Sequence, residues 1–276
     1  MDAVGKVYRF YECYAGEKQI VGRSVCGQPL VAMFAGEHKG PQIIVQCAIH
    51  AREWITALLA LEQLERGVLA GGAWFLPLTN PDGAALSIRG EAFLRTVPPC
   101  RAEFLRRVNG GKDFSLWKAN ANAVDLNVNF PADWGRGISN VRIPSPENYI
   151  GPSPFSEPET RALRDFTRQI LPAATLSFHS KGEEIYWYYG QSGNRLERDR
   201  ALAFALAEET GYAAGFTEGS CGGYKDWCIR ELGIPSFTVE VGRDAAAHPL
   251  QGGELPQIAE KNVRLPSLLL ELLAYE

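Results

Sequence analysis

An apolar run over residues 43–49, rich in β-branched side chains, leads into His50. Three residues later Glu53 opens an amphipathic stretch over residues 55–64. The run reads as a buried strand and the stretch as a helix. A strand feeding a helix is the repeating unit of an α/β fold, and the junction adds chemistry. A histidine and a carboxylate three residues apart can turn toward one point, and an imidazole nitrogen and a carboxylate oxygen both suit zinc. The pair alone is a weak signal, since four histidines and 32 acidic residues make one His-x-x-Glu easy to reach by chance. Its weight comes from the rest of the chain.

Further strands are expected at residues 19–24, 30–35, 73–78, 174–178, 184–189 and 235–241. Helices are expected from Ser156, as N-cap, to about residue 170, then over residues 196–210, from a glycine-led entry at residues 220–227 to Leu232, and over 258–274. Residues 79–83, Asn-Pro-Asp-Gly among them, read as a tight turn. From there to about Gly151 the chain reads as long and irregular, and loops of that length inside a domain are usually functional. With no linker or internal repeat, residues 1–276 are expected to form a single α/β domain.

Composition narrows the function. A net charge of −4 without blocks of like charge argues against nucleic acid or an anionic membrane as partner. No apolar run is long enough to span a bilayer. Six scattered cysteines, none at zinc-knuckle spacing, point to reduced thiols. The N-terminal residues lack the apolar core of a signal peptide, so the expected location is the cytoplasm, or the exterior or cell wall if a leader has been removed. Oligomeric state is not readable.

The strand at 174–178 also leads into a histidine, His179. Strand ends are where open α/β sheets build their sites. His50, Glu53 and His179 form a three-ligand set that leaves zinc a position for water, the His₂Glu set known from thermolysin and carboxypeptidase A. Glu240 lies in an otherwise apolar row, where an unpaired carboxylate is costly. It is either salt-bridged or the general base beside the metal.

The motifs His50-Ala51-Arg52-Glu53-Trp54, Asn80-Pro81-Asp82-Gly83, Val124-Asp125-Leu126-Asn127, Ser177-Phe178-His179-Ser180 and Thr238-Val239-Glu240 resemble, in order and spacing over about residues 18 to 245, the zinc carboxypeptidase family typified by carboxypeptidase A. The resemblance implies a single-domain α/β/α sandwich on a mixed sheet of about eight strands, with one zinc ion. It assigns His50, Glu53 and His179 to zinc, Glu240 to the general base, and Asp125 to orienting the first histidine. Lys118 sits where the family has an arginine that polarises the scissile carbonyl. Asn127 and Ser180, within matching motifs, fall among the substrate-binding residues.

The departures are specific. Val128 stands where true carboxypeptidases carry the arginine that forks onto the substrate's C-terminal carboxylate. Glu218 replaces the tyrosine that closes over substrate, and Tyr224 is the candidate substitute. Lys225 occupies the primed-side specificity position, where a lysine should select a carboxylate. These features resemble the bacterial γ-D-glutamyl-diaminopimelate peptidases of cell-wall peptides. The expected function is thus a zinc metallopeptidase cleaving a peptide or muropeptide. The alternatives are an exopeptidase trimming acidic C-terminal residues, which it would bind through Arg52, Lys118 or Lys225, and a non-catalytic binding domain.

Overall fold

The computed structural model describes residues 2–68 and 70–274. Eight strands join one mixed sheet: β1 (Lys18–Arg23), β2 (Pro29–Gly36), β3 (Gln42–Cys47), β4 (Gly72–Leu76), β5 (Ala174–His179), β6 (Glu184–Tyr186), β7 (Ala213–Gly215) and β8 (Ser236–Glu240). Their order across the sheet is β1-β2-β4-β3-β5-β8-β6-β7. The central strands β4, β3, β5 and β8 are mutually parallel, and antiparallel strands flank them.

Period-two alternation divides the core into two layers. Ile43, Val45 and Cys47 of β3, with Ala73 and Phe75 of β4, pack on one face; the helices Ala3–Cys13, Ile55–Arg66, Gly193–Thr210 and Leu265–Leu273 contribute to that core. Ile44, Trp74 and Leu76 point the other way, toward the helix Pro158–Ile170 and the short helix Tyr224–Trp227. The central strands are buried on both sides, which is why they read as near-continuous apolar runs. The expected α/β/α sandwich with about eight strands is the observed one.

Several local expectations need correction. The first site strand stops at Cys47, because Ala48 takes a positive φ of 47° and His50 begins a single tight turn over Ala51–Glu53. Asn-Pro-Asp-Gly is not a tight turn but the start of the helix Pro81–Arg89. Asn80 caps it by accepting from the Gly83 N–H at 3.0 Å, with Pro81 in the first turn. Much of the supposedly irregular region is helical, over Pro81–Arg89, Glu91–Leu94 and Pro99–Asn109. The N-cap of Pro158–Ile170 is Glu157, not Ser156. The C-terminal helix is two, Leu255–Asn262 and Leu265–Leu273, broken ahead of Pro266, which lacks the N–H a continuous helix needs. The aromatic strand ends at Tyr186, and the helix Ala3–Cys13 and strand β7 were not anticipated. None of the described helices is long and apolar enough to cross a membrane.

Candidate active site

Three parallel strands bring the chemistry to one edge. Cys47 at the end of β3 pairs with Phe178 of β5, and His179 pairs with Glu240 of β8. The segment leaving β3 and the ends of β5 and β8 therefore meet at the carboxyl edge of the sheet, the usual place for a site in such folds.

His50, Glu53 and His179 are all buried there, each offering a ligand atom within 4.8 Å of the others. His50 Nδ1 lies 2.9 Å from Glu53 Oε1, and His179 Nδ1 lies 3.1 Å from Glu53 Oε2. The two Nδ1 atoms face each other at 3.1 Å. Two imidazole nitrogens so placed cannot both donate or both accept without repulsion. A cation among them removes the conflict, and two histidines with one glutamate is a zinc set. Burial works against the Glu53 carboxylate, yet His50 and His179 hold it well below the usual range. It is the anion such a site requires.

Asp125 sits behind this set, fully buried. Its Oδ1 lies 3.3 Å from His50 Nε2 and its Oδ2 lies 3.0 Å from Lys118 Nζ. A carboxylate at that distance favours the tautomer with its proton on Nε2, which leaves Nδ1 free to ligate. Burial alone would raise Asp125, but Lys118 and His50 press it far below its ordinary value. Burial likewise disfavours the Lys118 ammonium, which Asp125 and Glu53 more than restore. Lys118 keeps a side-chain exposure of 17% and opens on the cleft.

That cleft has a volume of about 280 Å³ and is walled by Lys118, Asn127, Val128, Tyr186, Lys225 and Glu240, among others. Burial pushes the Glu240 carboxyl up to about 7, with Glu53 and Glu184 adding to the rise and His179 and Lys118 opposing it. Asn127 lines the cleft while its Oδ1 accepts the Tyr224 N–H at 3.0 Å, fixing the loop that carries the Gly-Gly pair. Ser180 contributes its backbone N–H, 3.3 Å from Glu53 Oε2, rather than its hydroxyl.

Three expected substrate contacts are not as the sequence implied. Tyr224 is wholly buried, its hydroxyl paired with Thr167 Oγ1 at 2.8 Å and its ring among Phe130 and Trp227. The turn after Gly223 points it into the lower core, so it does not replace the missing tyrosine. Arg52 does not line the cleft; its guanidinium reaches Glu147 and the Leu116 carbonyl, both at 3.3 Å. Lys225 does line the cleft, but its amine is already bonded to Asp226 at 2.6 Å. Asp226 and Tyr186 are cleft residues that sequence reasoning missed. The pairing of β6 with β8 sets Tyr186 opposite Thr238, another cleft residue. The Tyr186 hydroxyl donates to the Glu184 carboxylate.

Fold and site together match those of the zinc-dependent metallopeptidases. The chain belongs to the zinc carboxypeptidase family, whose pattern matches residues 15–264. It is 32% identical over 264 residues to gamma-D-glutamyl-L-diamino acid endopeptidase 1 of Lysinibacillus sphaericus, covering 87% of this chain and 64% of that protein. Human carboxypeptidase B is 29% identical over 235 residues, covering 75% of this chain and 52% of that protein. The chain thus spans about half to two thirds of the length of these relatives. Among solved structures, bovine thrombin-activatable fibrinolysis inhibitor, in complex with tick carboxypeptidase inhibitor, shares the fold with a TM-score of 0.73. The identity is 22%, and the match covers 99% of this chain and 94% of that one. Murein-tripeptide amidase MpaA from Escherichia coli O157 does so with a TM-score of 0.61 at 23% identity, covering 95% and 94%.

Proposed function

We propose that this metallopeptidase cleaves within peptides rather than at their C-termini, and that its bond is the γ-D-glutamyl–diaminopimelate amide of bacterial cell-wall peptides. One observation carries the reading: among the described residues no arginine lines the cleft, and its two lysines are each already bonded to an aspartate. A strict carboxypeptidase needs a cation held ready for the terminal carboxylate, and a guanidinium fork is the usual device. Here Val128 occupies that wall. The alternative, release of acidic C-terminal residues, meets the same difficulty. The Lysinibacillus relative, by its name an endopeptidase on γ-D-glutamyl-L-diamino acid bonds, supports the choice of bond.

Placement supports the following roles. His50, Glu53 and His179 hold zinc, which when bound polarises the scissile carbonyl and acidifies a water. Glu240 takes a proton from the attacking water and delivers it to the departing nitrogen, a task suited to a carboxyl near neutrality. Lys118 presents an N–H to the carbonyl oxygen as charge develops there, kept cationic by Asp125. Asp125 fixes the His50 ring. The test is mass spectrometry of products from a defined muropeptide and from the same peptide with its C-terminus amidated. Cleavage of both at the γ-glutamyl bond is expected. Stepwise loss of C-terminal residues, abolished by amidation, would overturn the reading.

A further inference from the structure

The wall of the cleft carries an unusual pair. Lys225 and Asp226 are consecutive in the short helix Tyr224–Trp227, and both line the cleft although their side chains are only 8% and 6% exposed. Consecutive helical residues do not ordinarily face each other. Here Lys225 Nζ donates to Asp226 Oδ1 at 2.6 Å and to the Tyr188 carbonyl at 3.2 Å, and it lies 5.3 Å from the centre of the Tyr189 ring. Asp226 Oδ2 accepts the Gly223 N–H at 3.1 Å. These bonds fix both head groups while leaving unused capacity on each: the ammonium has a third N–H, and each carboxylate oxygen has a second lone pair.

A lone lysine at this position would select an anion. A lysine already matched by an aspartate does not, because any single charge brought to the pair meets one attraction and one repulsion. What complements two opposite charges 2.6 Å apart is a second such pair laid against it with its signs reversed. We propose that Lys225 and Asp226 together read a zwitterionic amino-acid head group, its carboxylate on Lys225 and its ammonium on Asp226. This deepens the reading of the preceding subsection and rests on it for the primed-side residue. The free end of a diaminopimelate side chain is such a zwitterion. Lysine offers only the ammonium at the same chain length, and 2-aminopimelate only the carboxylate. Asp226 then becomes as much a specificity determinant as Lys225. The rest of the wall fits a polar guest, with Thr217, Ser220 and Thr238 around it.

The test compares L-alanyl-γ-D-glutamyl peptides carrying diaminopimelate, lysine or 2-aminopimelate on the primed side. Two quantities are measured: kcat/KM with the zinc-loaded enzyme, and affinity by calorimetry with the zinc-loaded Glu240→Gln variant. Diaminopimelate should lead both others by about tenfold to a hundredfold, one charge-assisted hydrogen bond being lost in each case. Lys225→Met should bring lysine level with diaminopimelate, and Asp226→Asn should bring 2-aminopimelate level with it. If 2-aminopimelate equals diaminopimelate in the unaltered enzyme, Lys225 reads a carboxylate alone and the proposal fails. It also fails if both variants weaken all three peptides by one common factor, since the pair is then structural. Affinity keeps the two readings separate. Preferential binding of diaminopimelate without cleavage supports the head-group reader and refutes the γ-glutamyl bond. Cleavage without preference does the reverse.

Discussion

Asp125→Asn isolates the residue on which the most of this site depends, and its cost follows from two contacts. The carboxylate lies 3.3 Å from His50 Nε2 and 3.0 Å from Lys118 Nζ, with no solvent exposure of its own. At an effective dielectric of about 20 the Lys118 contact alone carries a gross attraction of ~5 kcal/mol. Removing one partner of a buried pair typically costs ~3–5 kcal/mol, because the other charge stays buried. Since Lys118 retains 17% exposure toward the cleft, the lower end applies, about 3 kcal/mol. Asparagine nearly preserves shape, but its NH₂ group cannot accept, so one of the two backbone N–H groups the carboxylate now holds, of Asn127 and Asn148 at 3.1 Å each, is lost along with the charge. It can also turn its amide N–H toward His50 and favour the wrong tautomer, which should weaken zinc ~10–100-fold. Zinc affinity is read by chelator competition and stability by urea melts of the metal-free protein. The double variant Asp125→Asn/Lys118→Met should recover most of the stability but none of the zinc affinity, since it removes the stranded ammonium without restoring the His50 partner. The pH dependence has a fixed sign. Asp125 titrates below its unfolded value, so its contribution is full above about pH 4 and fades as pH falls toward the depressed folded value. Zinc affinity within threefold of the unaltered protein, or a double variant no more stable than the single one, would refute this account of Asp125.

Other expectations are simpler. His50→Ala and His179→Ala should each leave below one-tenth zinc occupancy after dialysis, measured by metal analysis, since they remove ligands and not only the groups behind them, for which ~10–100-fold is typical. Glu240→Gln should keep zinc and fold while turnover falls ~10²–10⁴-fold; a variant within tenfold of the unaltered enzyme would make Glu240 structural. The acid limb of kcat/KM should lie at or below pH 7, because the Glu240 carboxyl stands at about 7 before the charge of a bound ion lowers it further, and the limb should vanish in Glu240→Gln. Val128→Arg should shift preference toward peptides with free C-termini, seen as a rise in the rate ratio of free to amidated substrate.

The clustering of His50, Glu53 and His179 was legible because two apolar strands lead into histidines and Glu53 follows three residues after the first, a weak pair that gained weight from the second histidine. Glu240 was legible for the opposite reason, as a carboxylate in a row where nothing polar belongs. The misreadings share a cause. Asn80 and Pro81 are loop-forming residues by composition, yet at the start of a helix they cap it, so composition suggests a turn where a helix begins. Tyr224 sits beside the Gly-Gly pair in sequence, but which way a four-residue helix turns its side chains is set by tertiary packing, here Phe130, Trp227 and Thr167. Lys225 was visible as a charge. That Asp226 neutralises it was not, because neighbouring helical residues rarely meet.

The charges of the cleft also argue about what it admits. Lys118 is matched by Asp125 and Lys225 by Asp226, leaving Glu240 as the carboxylate closest to the metal set without a lysine or arginine bonded to it. Away from the metal ligands, a substrate bringing one bare carboxylate into this space finds no side-chain cation in surplus and two carboxylates, Glu218 and Glu240, in the wall. Its desolvation is uncompensated, and the binding cost of a buried unpaired charge is several kcal/mol, on the order of a thousandfold in affinity. A neutral backbone crossing the cleft suffers no such penalty, and neither does a zwitterion that meets an opposite pair. A single arginine at position 128 would reverse the balance by supplying the missing cation, provided the Val128 backbone, which already crowds Gly222, can hold it. On the proposed reading, Val128→Arg is the single change in the wall that should move cleavage from internal toward terminal bonds.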